Sequence, residues 1–152
     1  MTTIIVTSSR SPHGNTRRIA DTLSAGLDAR VVSPAQATAD LLADADLIGF
    51  GSGIYSLGFD ERLVDCIATL PDMAGRSAFV FATSGLPEPP FARYTKRLRR
   101  QLEQKGFCIV GTFMCRGVDT WGPFKLVGGV SKAHPSTADL ERARSFAARL
   151  KP

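Results

Sequence analysis

The feature that most constrains this chain is the regular exchange of short apolar runs for amphipathic stretches along its whole length. Continuous apolar runs suit strands buried on both faces, and the helix-spaced stretches between them supply the cover. The pattern therefore predicts an α/β fold with a parallel sheet between two helical layers. Thr3 to Thr7 reads as the first strand, and Thr16 to Leu27 as a helix with Ile19, Leu23 and Leu27 spaced by four. Arg30 to Val32 is a second strand, Pro34 to Ala43 a helix, and Asp46 to Phe50 a third strand running into the flexible stretch from Gly49 to Gly53. Phe59, Leu63, Ile67 and Leu70 mark the next helix, and Ser77 to Thr83 is the fourth strand. After a loop containing Pro87, Pro89 and Pro90, a helix is predicted over Phe91 to Lys105 and a fifth strand over Phe107 to Cys115. The glycine-rich segment from Arg116 to Pro135 precedes a last helix. That helix opens on the capping-box pattern Ser136-Thr137-Ala138-Asp139 and carries Leu140, Ala143, Phe146, Ala147 and Leu150 inward. Five strands and five helices thus alternate strictly, and ligands of such sheets bind beyond the carboxyl ends of the strands.

Composition sets the outer limits. A chain of 152 residues, 43% hydrophobic and 22% charged, falls in the range of one globular domain over residues 1–152 and outside the disordered class. Its longest apolar runs fall far short of the roughly 20 residues of a membrane span, so no membrane insertion is expected. The amino-terminal residues lack the pattern of a secretory signal, which makes a cytoplasmic location the default. Cys66, Cys108 and Cys115 have neither disulfide nor metal-motif spacing and are expected as reduced thiols, with Cys115 a buried, inert one. The net charge is +5, and Arg93, Lys96, Arg97, Arg99, Arg100 and Lys105 are concentrated in one predicted helix. Phe91, Tyr94, Leu98 and Leu102 recur there at helical spacing, so the charge is read as a solvated face. No nucleic-acid partner is expected, since no binding module or aromatic interleaving accompanies it.

The sharpest local signal follows the first strand. Ser8-Ser9-Arg10-Ser11-Pro12-His13-Gly14-Asn15-Thr16 offers hydroxyls, a glycine and free backbone N–H groups at a helix start, an arrangement suited to a phosphate. Ser9, Ser11 and Thr16 can donate hydroxyls, Asn15 an amide, and Gly14 allows close backbone approach. No Gly-Lys pair occurs, which excludes a P-loop, and no GxGxxG follows the first strand. Gly49, Gly51 and Gly53 follow the third strand without the remaining dinucleotide pattern and are weak evidence for NAD.

With these residues in hand, the chain resembles the flavodoxin family over essentially its whole length. The stretch from Ser11 to Ala20 is similar to the family's phosphate loop. Gly51-Ser52-Gly53-Ile54-Tyr55 and Ser84-Gly85-Leu86 look like the two loops that flank its isoalloxazine ring. Asp119-Thr120-Trp121-Gly122-Pro123 and the run from Lys125 to Pro135 are similar to a less characterised branch. The resemblance implies a single-domain three-layer sandwich with a five-stranded parallel sheet in the order 2-1-3-4-5, binding FMN. It implies cofactor contacts from Ser9, Arg10, Ser11, His13, Gly14, Asn15 and Thr16 around the phosphate. Ser52, Gly53, Ile54, Tyr55, Thr83, Ser84, Gly85, Leu86, Asp119 and Trp121 are implied around the ring. The implied activity is electron carriage or reduction of a small acceptor such as a quinone. Because electron-carrier flavodoxins are typically acidic and this chain is basic, an acidic redox protein is the complementary partner. Two other classes stay open: a flavodoxin-fold binding module without flavin, and an anion- or nucleic-acid-binding protein using the basic helix.

Overall fold

The computed structural model describes residues 1–8, 14–55, 58–84, 93–116 and 137–151. Within them the strands are β1 (Thr3–Ser8), β2 (Arg30–Val32), β3 (Leu47–Tyr55), β4 (Gly58–Phe59), β5 (Ser77–Ser84) and β6 (Cys108–Arg116). The helices are α1 (Asn15–Leu27), α2 (Ala39–Ala43), α3 (Glu61–Ala68), α4 (Tyr94–Gln104) and α5 (Thr137–Leu150). The main sheet runs β2-β1-β3-β5-β6, with every neighbouring pair parallel. Counting only these five strands, the order is the expected 2-1-3-4-5.

Both sheet faces are covered. Ile4, Val6, Ile48, Phe50 and Val80 face one way and pack with Leu42 of α2, Leu63 and Ile67 of α3 and Leu98 and Leu102 of α4. Ile5, Phe79, Phe81 and Phe113 face the other way, against Ile19 and Leu23 of α1 and Phe146 of α5. Period-2 alternation of two apolar sets is what a strand buried on both sides requires.

Four local readings change. The strict alternation is interrupted by β4, which pairs antiparallel with the end of β3 through Ile54–Phe59 and Tyr55–Gly58. Phe59 therefore belongs to this strand, and α3 begins only after Asp60, whose side chain caps it by accepting from the Arg62 N–H. The helix predicted from Pro34 starts at Ala39. A turn from Ser33 to Gln36 occupies the earlier residues, and Thr38, in an extended conformation, caps the helix by accepting from Leu41 N–H. The stretch Gly49 to Gly53, expected to be flexible, is regular strand in the centre of the sheet and pairs with both β1 and β5.

That last difference has a packing cause. Added β-carbons at Gly49 and Gly51 would lie 2.2 Å from Phe79 Cζ and 2.4 Å from Phe81 Cε2. Gly49 and Phe79 are register partners, as are Gly51 and Phe81, so the phenyl rings lie across the bare backbone of the neighbouring strand. The spaced glycines make room for aromatic rings rather than for a dinucleotide.

Candidate functional site

The carboxyl ends of β1, β3 and β5 carry hydroxyls on both faces of the sheet, one pair around the Asp60 carboxylate and the other at the start of α1. Ser8 and Ser52 are register partners at the ends of β1 and β3. Both point to the side of the sheet covered by α3, where Asp60 receives them. Ser8 Oγ donates to Asp60 Oδ2 at 2.9 Å, and Ser52 Oγ accepts from the Asp60 N–H at 3.0 Å while donating to the Gly53 carbonyl at 2.6 Å. Asp60 is 2% exposed. Its carboxylate also takes Arg62 in a two-pronged contact, Nη2 to Oδ2 at 2.9 Å and Nε to Oδ1 at 3.3 Å. The hydrogen bond from the Arg62 side chain, helped by the Arg62 N–H and the Ser8 hydroxyl against the opposing effect of burial, holds the Asp60 carboxyl down at about 2. A buried carboxylate, ionised at neutral pH, thus fastens two strand ends to the first turn of α3.

On the other side of the sheet the contacts converge on α1. Thr16, in its first turn, and Thr83, near the end of β5, are both buried and bring their hydroxyls to 2.6 Å across 67 residues of sequence. One proton suffices for that contact, so the second hydroxyl proton remains to be donated elsewhere. Gly53 sits beside them. A β-carbon there would lie 2.9 Å from Tyr55 Oη and 3.4 Å from Thr16 Oγ1, which places the half-buried Tyr55 folded back over bare backbone next to Thr16. Thr7 buries a hydroxyl that has no hydrogen-bond partner among the described residues. α1 itself opens on Gly14 in an extended conformation, with no acidic residue in its first turn to cancel the field of its N–H groups.

Of the residues singled out from sequence, Gly14, Asn15, Thr16, Ser52, Gly53, Ile54, Tyr55, Thr83 and Ser84 all fall at this mouth. Ser52 differs in posture: it is fully buried, and both of its hydroxyl contacts are internal. Ser9, Arg10, Ser11, His13, Gly85, Leu86, Asp119 and Trp121 lie outside the described residues. Asp60, Arg62 and Thr7 were missed. The Asp-Glu-Arg sequence ahead of Leu63 is a helix-start signature and was the available clue for the first two.

The remaining chemistry-bearing side chains are quiet. Burial pushes the Cys115 thiol up to about 12, with the Asp139 charge adding to the effect, so it is protonated at neutral pH. Among the described residues no three His, Cys, Asp or Glu side chains come together as metal ligands, and no helix is long and apolar enough to cross a membrane. Lys105, counted in the basic helix, is turned inward: its Nζ donates to the carbonyls of Ala68 at 3.0 Å and Leu70 at 2.7 Å, closing the end of α3.

Known proteins share both sequence and fold with this chain. It is 38% identical over 135 residues, 89% of each chain, to an uncharacterized protein of Methanocaldococcus jannaschii. Among solved structures, a flavodoxin of Streptococcus pneumonia TIGR4 superposes with a TM-score of 0.73 at 18% identity, covering 99% of this chain and 97% of the other. The two-electron reduced flavodoxin of Megasphaera elsdenii gives 0.70 at 18%, covering 97% and 99%. An NADH:FMN oxidoreductase in its apo form gives 0.66 at 19%, covering 100% and 92%. A flavodoxin domain profile matches residues 4–117, which takes in β1 from its second residue through β6 and every described part of the polar mouth. The chain belongs to the flavodoxin family.

Proposed function

We propose that this protein is an FMN-dependent redox protein that carries electrons or reduces a small acceptor such as a quinone. Membership of the flavodoxin family supplies the cofactor, FMN. The observation that carries the reading is the mouth where Thr16, Gly53 and Thr83 converge. It offers an unshared hydroxyl proton, a bare backbone where a β-carbon would crowd Tyr55, the positive end of α1, and, near the end of β1, a buried Thr7 hydroxyl with no hydrogen-bond partner among the described residues. Such groups match an anionic phosphate and the edge of a planar ring.

In this reading the loop from Ser9 to Thr16 holds the phosphate. Residues 52–55 and 83–86, with Asp119 and Trp121, surround the ring. When bound, FMN supplies a ring system that takes up and releases one or two electrons; the protein positions it and sets its electronic surroundings. Asp60 keeps Ser8 and Ser52 in place beneath the phosphate and ring segments, an indirect part in binding.

The test begins with the absorption spectrum of the purified protein before and after FMN is added. A saturable flavin spectrum with distinct protein-bound bands is expected, with riboflavin, which lacks the phosphate, binding much more weakly. Thr16→Ala should raise the FMN dissociation constant by the value of one hydrogen bond to a charged acceptor, about 0.5–3 kcal/mol or roughly 2- to 150-fold. Unchanged affinity in Thr16→Ala, or equal affinities for FMN and riboflavin, would overturn the phosphate placement.

The outward face of α4 supports an acidic protein partner, since Lys96, Arg97, Arg99 and Arg100 are all exposed on it. Exposed pairs each contribute only about 0–1 kcal/mol, so the signature is kinetic. Changing Arg97, Arg99 and Arg100 together to Glu should leave folding and FMN affinity nearly unaltered. It should slow flavin reduction by an acidic donor protein, measured by stopped flow, most strongly at low salt. A rate indifferent to both salt and charge reversal removes the protein partner from the reading.

A further inference from the structure

The far edge of the sheet carries a face that the flavin reading does not use. β6 is the last strand of the main sheet, and no strand among the described residues pairs with its outer side. α5 runs back along it. A β-carbon at Gly111 would meet Phe146 Cε2 at 3.0 Å and Leu150 Cδ2 at 3.5 Å, and nearer the strand's end Arg142 Nη2 donates to the Met114 carbonyl at 2.9 Å. An open cleft of about 700 Å³ lies along this edge, with Thr112 and Met114 on the strand wall and Ala138, Glu141, Ser145 and Arg149 on the helix wall. Those four helical residues are exposed, and so is Val110, at 45%, where β6 slips out of register with β5.

An open strand edge invites another strand, but this one is blunted. The bulge at Val110 breaks the regular ladder. Arg142, held by Asp139 at 3.2 Å and lying over the Phe113 ring at 5.3 Å, covers the Met114 carbonyl. A partner therefore meets the helix wall rather than extending the sheet.

The charges on that wall indicate which partner. Ala138, Glu141, Arg142, Ser145 and Arg149 recur at intervals of three and four, so they form one stripe on α5, with Ala148 at its margin. Arg142 is already paired with Asp139, whereas Glu141 and Arg149 belong to no ion pair among the described residues. One is an anion and the other a cation, which suits no ligand of a single sign. Glu141 and Arg149 stand four residues before and after Ser145, about one helical turn each way. A copy of the same helix crossing antiparallel at Ser145 sets Glu141 of each chain opposite Arg149 of the other, the self-complementarity that a two-fold contact requires. The same axis sets Arg142 opposite the small Ala148, so no cation is forced against another and Arg142 keeps its internal contacts.

We propose that a second copy of this chain docks on this stripe, forming a two-fold dimer in which the α5 helices cross antiparallel at Ser145 and Glu141 pairs with Arg149 between chains. The contact stands apart from the flavin reading. Exposed ion pairs contribute little each, so here they select the partner and its direction, and association is concentration-dependent.

Sedimentation velocity over a concentration series, with and without FMN, tests it. The wild type is expected to move from the monomer mass of 16.3 kDa toward twice that value as concentration rises. Glu141→Arg sets cation against cation at both contacts, and Arg149→Glu sets anion against anion. Each should raise the dimer dissociation constant roughly tenfold or more. Mixing the two weakened variants in equal amounts should restore association, because every reversed charge then meets its opposite on the other chain. In a Cys108→Ser background, Ser145→Cys should give an interchain disulfide with oxidised glutathione, and Arg144→Cys, exposed on α5 but off the stripe, should not. A wild type that stays monomeric to its solubility limit, single reversals that associate as before, a mixture no better than its components, or equal cross-linking at the two cysteine positions would each overturn the proposal. A stripe that serves a different protein gives the first of these results.

Discussion

Replacing Asp60 by alanine is expected to destabilise the protein by about 2–4 kcal/mol, lowering the melting temperature by roughly 5–15 °C at the usual 2–4 °C per kcal/mol for a chain of this size. The figure combines two losses. Removing an N-cap carboxylate costs about 0.5–2 kcal/mol, and leaving the buried Ser8 hydroxyl without its acceptor costs about 1–3 kcal/mol more. The Arg62 guanidinium adds little, because its side chain is 61% exposed and water replaces its partner. Asp60→Asn keeps the shape and one acceptor, so its loss should be smaller at pH 7.

The two variants separate further on acidification. The Asp60 carboxyl is held at about 2 in the folded protein against an ordinary 3.8, first by the Arg62 hydrogen bond. A carboxyl lowered in the native state stabilises it fully above the unfolded value and loses that contribution as pH falls. The wild type should therefore shed up to about 2 kcal/mol between pH 4 and pH 2 from this group, and Asp60→Asn should lack that component. Urea denaturation of both proteins at pH 6, 4, 3 and 2 checks it. Parallel stability curves for wild type and Asp60→Asn would show that Asp60 is not the titrating anchor of the two strand ends.

The sequence exposed what depends on period and lost what depends on neighbours distant in the chain. β2 and the apolar stripe of α1 were readable because Ile19, Leu23 and Leu27 repeat at a helical interval and Arg30 to Val32 is bounded by turn residues. The phosphate-loop side of the mouth was readable for the same local reason, being one short stretch of hydroxyls ahead of a helix. Thr83 entered only through the family resemblance. Its contact with Thr16 joins residues 67 apart, and no local pattern encodes it. Asp60 was overlooked because Phe59 fits the helical spacing of Leu63 and Ile67, and a period-based reading absorbs the cap into the helix. The helix predicted from Pro34 overruns α2 because Thr38, which restarts the chain after a turn, is polar enough to pass as a solvent-facing helical position.

Gly49→Ala is expected to cost about 3 kcal/mol or more, with a fall in melting temperature of roughly 6–12 °C, while leaving FMN affinity within about twofold at temperatures where the variant is folded. The new methyl carbon would sit 2.2, 2.6 and 2.8 Å from three atoms of the Phe79 ring, so either the ring or the strand has to move. Neither has slack. Phe79 is fully buried, stands edge to face on Phe146 at 5.8 Å and lies 6.2 Å from Phe81, and β3 is hydrogen-bonded on both sides. An interior at crystal-like density transmits such a clash instead of absorbing it. A glycine serving a nucleotide loop would behave in the opposite way, giving lost affinity with little lost stability. The packing account also predicts rescue. Phe79→Leu alone opens a void and destabilises, but in Gly49→Ala/Phe79→Leu the added methyl enters the space the ring has vacated, so the double variant should be more stable than the two separate losses add up to by about 1–3 kcal/mol. Strict additivity in that cycle, measured by thermal and urea denaturation, would mean that the ring and the glycine do not compete for the same volume. Gly49 would then need an explanation other than the aromatic ring lying across it.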